Sequence, residues 1–464
     1  MLIPLIVACG LFMENLDSTV LSTSLPAIAA DLHVAPVSLK LALTSYLLSL
    51  AVFIPISGWA ADKYGARTVF MGAIAVFTGG SMLCSLAHSL PEFVLYRIVQ
   101  GLGGAMMVPV GRLVLLRSVT KSEMISALAW LTVPALLGPM LGPPLGGFVT
   151  TYLHWRWIFY INLPMGALGL ALTWKFIANI REPDVPPLDR RGFALSSLGL
   201  SAFVSGLAIL GENAGSFGAG SGLAAAGIAI CAAYVWHARR TENPVIDLRL
   251  LEVQTFRAGV LGASLFRIGV GAVPFLLPLM LQLSFGLTPF QSGLLTFSTA
   301  IGALVMKASA APIIRALGFR RVLIVNALVS TAFMAANGFF TAATPHALMF
   351  ALLLAGGFFR SLEFTAINAL AYADIPQAKM SRATSFASVT QQVALSLGVA
   401  IGALILQAAQ VLRGEAAISR EDFAIAFWIV AAIGVLSVIS FLRLPQGAGR
   451  ELAGRPGAEA AAPQ

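Results

Sequence analysis

Apolar residues run along this chain in blocks of roughly twenty, each closed by a short cluster of Pro, Gly, Asn or charged residues. A helix needs ~20 apolar residues to cross a hydrocarbon core ~30 Å thick, whereas a barrel strand needs about ten alternating ones. The pattern therefore predicts an all-α polytopic membrane protein. Fourteen spans are expected, at 3–25, 41–61, 68–88, 91–112, 126–150, 157–178, 192–211, 221–238, 257–282, 290–311, 320–341, 346–371, 383–409 and 423–443. An even count puts both termini on one side. Lys and Arg choose that side: of 29, twenty-one fall in loops of one face and only Lys40, Arg156, Arg413 and Arg420 in loops of the other. By the positive-inside rule the termini are expected in the cytoplasm.

The spans group into blocks. Residues 1–178 carry six, the linker 179–256 carries two additional Gly- and Ala-rich spans, and 257–445 carries six more. The tail 446–464, rich in Gly, Ala and Pro, is expected to be disordered. The outer blocks echo each other. Gly58-Trp-Ala-Ala-Asp62-Lys63-Tyr-Gly65-Ala-Arg67 aligns with Ala311-Pro-Ile-Ile-Arg315-Ala-Leu-Gly318-Phe-Arg320, each after the second span of its block. Two related six-helix halves are a transporter signature.

Composition narrows the function classes. Hydrophobic residues make up 58% and charged ones 11%, against about 25% charged in soluble domains. The net charge of +9 is spread over many short loops, so it encodes topology and implies no nucleic-acid partner. Cys9, Cys84 and Cys231 lie far apart in apolar runs, as small packing residues. Ala27-Ile28-Ala29 resembles a signal-peptide cleavage triplet, but the first span has no basic n-region and carries two acids, so it is expected to be a mature span. The five histidines have neither metal-ligand spacing nor a nucleophile arrangement, and no phosphate-binding loop appears. No enzyme activity, cofactor, metal or obligatory protein partner is expected; the expected partners are protons, a small-molecule substrate and the lipid bilayer.

Charges inside spans carry the candidate chemistry, because each costs ~2.5 to more than 10 kcal/mol in the hydrocarbon core. Glu14 and Asp17 share one face of the first span. Asp17 lies ~22 Å along that outward-running helix, and Arg97 lies ~10 Å inward from the outer end of the fourth. The depths nearly coincide, which predicts an Asp17–Arg97 pair, direct or through Gln100. An aspartate held by arginine is a poor proton carrier while the pair is closed; Glu14 has no evident basic neighbour, and an unpaired carboxyl in hydrocarbon favours its neutral form. The bland alternative is a buried polar pair that only fixes helix packing. In the second half, Arg360 and Glu363 are spaced as an i, i+3 pair, Arg267 is too deep to reach an interface, and Lys307 is expected to snorkel. Gln100, Asn162, Arg267, Gln282, Arg360, Glu363, Asn368 and Gln391 are candidates for lining a substrate cavity, with interhelical polar contacts as the alternative role.

Four stretches carry a family resemblance. The loop Gly58 to Arg67 resembles the signature between the second and third spans of the major facilitator superfamily. Tyr96-Arg97-Ile-Val-Gln100-Gly101 is similar to that superfamily's fourth-span motif. Gly138-Pro139-Met-Leu-Gly142-Pro143-Pro-Leu-Gly146-Gly147 is similar to the fifth-span motif of its proton antiporters. The segment Leu16 to Pro26, with Trp155 to Gly166, resembles the fourteen-span drug:proton antiporter branch.

The resemblance implies a major facilitator fold of two six-helix halves plus two extra central helices, working by alternating access in a bacterial inner membrane. It implies export of small, amphipathic or drug-like molecules driven by proton entry, with Asp17 as the proton site; the residues themselves favour Glu14, so Asp17, with its partner Arg97, is expected to be essential to proton coupling and Glu14 to contribute to protonation or cation recognition. Gly58, Asp62, Lys63, Gly65 and Arg67 would form a cytoplasmic gate in which Asp62 latches to a basic residue such as Arg117. Gly138, Pro139, Gly142, Pro143, Gly146 and Gly147 would form a dry, kinked seal. Arg267 and Arg360 beside the acids leave open an exporter of an anionic or zwitterionic metabolite or metal chelate. A transport-inactive sensor or scaffold is a further alternative, for which no loop is long enough to be a partner domain.

Overall fold

The computed structural model describes residues 2–118, 124–182, 185–210, 217–376, 379–415, 417–445 and 447–449, with side chains described throughout these stretches except at residue 2 and residues 116–136. Every regular element among them is helical. In chain order the long helices are α1 (Leu2–Asp31), α2 (Lys40–Tyr64), α3 (Ala66–Ser85), α4 (Leu90–Ser118), α5 (Met124–Tyr152), α6 (Asn162–Phe176), α7 (Arg190–Leu210) and α8 (Phe217–Ala238). They continue with α9 (Ala263–Leu279), α10 (Pro289–Leu317), α11 (Phe319–Ala336), α12 (His346–Ala371), α13 (Met380–Arg413) and α14 (Arg420–Val435). Thirteen segments among the described residues are long and apolar enough to cross a membrane, and α5 stands at the remaining expected place.

Helix boundaries follow from local chemistry. Gly65 ends α2 and opens α3 at φ +94°, and Gly318 does the same between α10 and α11 at φ +79°. The sequence echo between the halves is thus a repeated turn that needs glycine's backbone freedom. At α14, Asp422 Oδ2 accepts from the Ser419 backbone N at 2.8 Å and from its hydroxyl at 3.1 Å, closing a capping box. Short π-helical turns, Ala258–Gly262 and Met280–Ser284, flank α9; such turns are rare and often sit at functional places.

Helix proximity divides the chain into two compact units, which differ from the boundaries drawn from sequence. One comprises Met1–Val245 with Pro278–Phe297, the other Ile246–Leu277 with the residues from Ser298 onward. Both additional helices, α7 and α8, therefore belong to the first unit, and residues 246–256 join the second.

In the first unit α1 lies along α5. The absence of a side chain at Gly142 and Gly146 lets α5 approach Thr19, Val20 and Thr23 of α1 directly, the small-residue packing that substitutes for a hydrophobic driving force in lipid. Helices α7 and α8 pair with each other, and Phe193 of α7 meets Phe53 of α2 at 6.1 Å between ring centroids. The segment 278–297 is tied to the same unit: Gln282 Nε2 donates to the Thr23 carbonyl at 2.9 Å, the Phe290 N–H donates to Thr151 Oγ1 at 3.1 Å, and the Phe290 ring stands 6.0 Å from Phe148 and 5.8 Å from Tyr152.

In the second unit α11 packs against α12 and α14. Phe333 stacks on Phe359 at 5.5 Å, Thr255 donates to Asp374 at 2.8 Å, and Arg320 donates to the Leu442 carbonyl at 2.9 Å.

Candidate functional site

Four helices of the first unit deliver polar groups to one buried point. Asp17 comes from the middle of α1, Arg97 and Gln100 from one face of α4, Ser81 from α3, and Asn162 from the first turn of α6. Arg97 Nη1 donates to Asp17 Oδ2 at 2.6 Å, and the two side chains are 0% and 2% exposed. The other carboxylate oxygen, Oδ1, accepts from Gln100 Nε2 at 2.8 Å and from Asn162 Nδ2 at 3.1 Å. Both amides also donate to Ser81 Oγ, at 2.8 and 3.1 Å. Arg97 Nη1 further donates to Gln100 Oε1 at 2.6 Å. The Asp17 charge is thereby met by one cation and two neutral donors, which is what a buried ion pair needs to offset its desolvation.

Glu14, one turn nearer the start of α1, has different surroundings although it shares a helix face with Asp17. It is 8% exposed, and its Oε1 accepts from the Tyr46 hydroxyl of α2 at 3.4 Å. On α4, Gly104 leaves room for it: a β-carbon there would stand 3.6 Å from Glu14 Cγ and 3.0 Å from the Tyr46 hydroxyl. The same tyrosine ring lies under the Arg97 guanidinium at 4.1 Å, so Tyr46 touches both the paired and the unpaired half of the site. Arg97 Nη2 forms no hydrogen bond among the described residues, and the ring face is its neighbour instead.

The sequence predicts Asp17, Arg97 and Gln100 together and gives Asn162 only a cavity role; it does not single out Tyr46 or Ser81, which the structure adds. Tyr46 carries a sequence signal, as the one tyrosine of the second predicted span, 41–61. Cys84 also borders the cluster, its thiol 3.8 Å from Gln100 Oε1.

The remaining candidates lie elsewhere. In the loop between α2 and α3, the segment after α6 straps the turn: the Thr68 N–H donates to Asn179 Oδ1 at 3.3 Å, Arg67 Nη1 to the Ile177 carbonyl at 3.3 Å, the Glu182 N–H to the Asp62 carbonyl at 3.1 Å, and Trp59 Nε1 to the Pro186 carbonyl at 3.1 Å. Asn179 thus caps α3 from outside the helix. Lys63 extends over the Trp59 ring at 4.8 Å, beside a cavity of about 390 Å³ lined by Trp59, Lys63, Glu182, Pro186 and Arg190. The Arg117 side chain, named as the latch partner of Asp62, lies outside the described residues.

In the fifth-span motif, Gly138 meets Asn15 and Leu16, Gly142 meets Thr19, Gly146 meets Val20 and Thr23, and Gly147 meets Pro289 and Phe290. Gln282 is spent on the Thr23 carbonyl.

In the second unit, Arg267 is 1% exposed and donates to Asn368 Oδ1 at 3.1 Å, with Phe364 5.9 Å away. Gln391 is half-buried in α13. Lys307 donates to Thr365 at 3.0 Å on an exposed surface. The expected Arg360–Glu363 pair is not formed. Glu363 turns to Asn326 of α11 at 2.8 Å, and Arg360 lines a small cavity with Thr299, Ser330 and Asn337. The spacing gave both residues one helix face, but α11 offers Glu363 a neutral donor across the helix interface.

Among the described residues no group of three His, Cys, Asp or Glu side chains could hold a metal ion. Long apolar helices with an ion pair buried among four of them mark a polytopic membrane protein that keeps a charged site inside its bundle. The chain belongs to the Major Facilitator Superfamily, whose family model matches residues 7–238 and 259–463. It is 36% identical over 452 residues to the "Putative multidrug resistance protein MdtD" of Salmonella paratyphi A, covering 95% of this chain and 94% of that one. It is 38% identical over 452 residues, with the same coverage, to the protein of that name from Cronobacter sakazakii. Among solved structures, a crystal structure of a D-xylose-proton symporter superposes with a TM-score of 0.68 at 17% identity, covering 97% of this chain and 98% of that one. The fold is that of the superfamily, in a multi-pass membrane protein.

Proposed function

We propose that the chain is a proton-coupled antiporter that exports small, amphipathic, drug-like molecules across a bacterial inner membrane by alternating access, with both termini in the cytoplasm. The observation that carries this reading is the division of the two acids of α1. Asp17 is held by Arg97, Gln100 and Asn162, whereas among the described residues Glu14 accepts only the Tyr46 hydroxyl. A carboxyl buried without a cation is a place to load a proton. Protonating one acid changes the hydrogen bonding of the other through Tyr46 and Arg97, which touch. A proton arriving from outside would open the Asp17–Arg97 pair, release Arg97, and remove the negative charge that a cationic or dipolar cargo uses for binding. Competition between proton and cargo for one charge is sufficient for exchange, because each ligand favours the state that the other leaves.

The relatives' name supports drug-like cargo. Ethidium loaded into proteoliposomes carrying the purified chain should move when a pH gradient is imposed and stop when the gradient is collapsed with an ionophore. Ethidium flux that ignores the gradient would remove proton coupling from the account.

A second reading rests on Arg267 and Arg360, which have no carboxylate partner among the described residues. Two uncompensated cations in the second unit suit an anionic or zwitterionic cargo. A panel of cationic, neutral and anionic compounds in the same vesicles separates the two readings by which charge class moves.

A further inference from the structure

The second unit holds an acid that the proposed cycle does not use. Glu363 on α12 is 0% exposed. Its Oε2 accepts one hydrogen bond, from Asn326 Nδ2 on α11 at 2.8 Å. Its Oε1 has no partner among the described residues, and neither has Asn326 Oδ1. The residues are therefore joined by one bond, and each keeps one buried acceptor without a donor. A carboxylate and a primary amide can do no better, since neither acceptor can donate. A carboxylic acid can, because its O–H adds a second bond running the other way.

No charge compensates this acid. Arg360, one turn earlier on the same helix, forms no ion pair with it and borders a cavity of about 30 Å³ with Thr299, Ser330 and Asn337. On the neighbouring elements, Lys307 of α10 is bonded to Thr365, Arg267 of α9 to Asn368, and Arg320 of α11 to the Leu442 carbonyl. Arg257, Arg315 and Arg321 sit at helix ends, and Asp374, past the end of α12, is bonded to Thr255. An ionised Glu363 would stand in a buried helix interface with one neutral donor among the described residues, a situation that proteins avoid by neutralising the group or finding it a partner.

We propose that Glu363 is a second proton-binding site of this transporter, holding its proton against Asn326 and taking Arg360 as counter-charge when the proton leaves. The step is a bare proton transfer: the Glu363 O–H bond breaks, the proton passes to water, and the negative charge left on the carboxylate is met by the guanidinium one turn away. Both partners are in place, since Asn326 is already bonded and Arg360 is uncommitted within i, i+3 reach. This inference rests on the proton-coupled reading above but uses different residues, in the other unit.

Infrared difference titration of the full-length chain in lipid nanodiscs, which needs no substrate, tests it. The wild type should lose a carboxylic C=O band attributable to Glu363 as pH rises. Glu363→Gln, which keeps an amide in contact with Asn326, should lack that band, while the Glu14→Gln/Asp17→Asn double variant retains it. Asn326→Ala should keep the band but shift its frequency. The proposal is overturned if Glu363→Gln leaves every titrating carboxyl band in place, if the band persists over the whole range in which the protein stays folded, or if Asn326→Ala does not move it. A wild-type result at Glu363 combined with intact proton coupling in Asp17→Asn would instead fault the first-unit site alone.

Discussion

Arg97 on α4 and Asp17 on α1 form a 2.6 Å ion pair, 80 residues apart in sequence, with essentially no exposed surface on either side chain. Gln100 and Asn162 occupy the second carboxylate oxygen, so opening the pair exposes a cation, an anion and two amides together. A buried polar network is costly when only part of it is satisfied, so the pair is strongly coupled to its amide neighbours.

Removing one partner should cost more than removing both. Asp17→Asn or Arg97→Gln alone leaves a buried uncompensated group and is expected to destabilise by about 3–5 kcal/mol. The Asp17→Asn/Arg97→Gln double variant should recover part of that loss. Thermal unfolding of the four proteins in one detergent reads the coupling; additive losses would mean that the two side chains act independently.

Glu14→Gln and Asp17→Asn should have different phenotypes. The first is expected to weaken export of ethidium or shift its pH dependence while the protein folds normally; the second should abolish coupling. Tyr46→Phe removes the hydrogen bond that Glu14 accepts among the described residues and should resemble Glu14→Gln. Transport against pH for the three variants decides this, and superimposable profiles would erase the distinction between the acids.

The contact between α1 and α5 should tolerate little bulk. Gly146→Leu pushes a side chain into Val20 and Thr23, and overpacking of this kind costs about 1–3 kcal/mol. Reduced thermal stability and loss of ethidium transport are expected, and a variant that keeps both would show that the helices can separate freely.

Gly65 is constrained twice, by φ +94° and by the Asn179 side chain lying where a β-carbon would go. Gly65→Ala should cost on the order of 1–3 kcal/mol. Asn179→Ala makes space, so the double variant should lose less than the two single losses combined, as measured by unfolding midpoints.

Much of this was legible in the chain. Span length predicts the helices, since the thickness of a bilayer sets it. The depth of two charges brought Asp17 to Arg97, because helix rise converts residue number to distance. Tyr46 and Ser81 were not legible, as a hydroxyl in an apolar span reads the same whether it packs or binds. Glu363 misled for a related reason: i, i+3 spacing identifies a possible partner on its own helix but is blind to Asn326 on the next one. The strap from Asn179 to Pro186 was also hidden, since backbone carbonyls in a loop leave no residue pattern. The division into compact units, with 278–297 beside the first, depends on contacts between distant segments such as Gln282 and Thr23.

The most direct test of the account is proton release on cargo binding. Ethidium added to the purified wild-type protein in weakly buffered detergent should release protons, detected by a pH-sensitive dye, and Asp17→Asn, which lacks the charge that proton and cation compete for, should release none. Unchanged proton release in Asp17→Asn would contradict the central assignment.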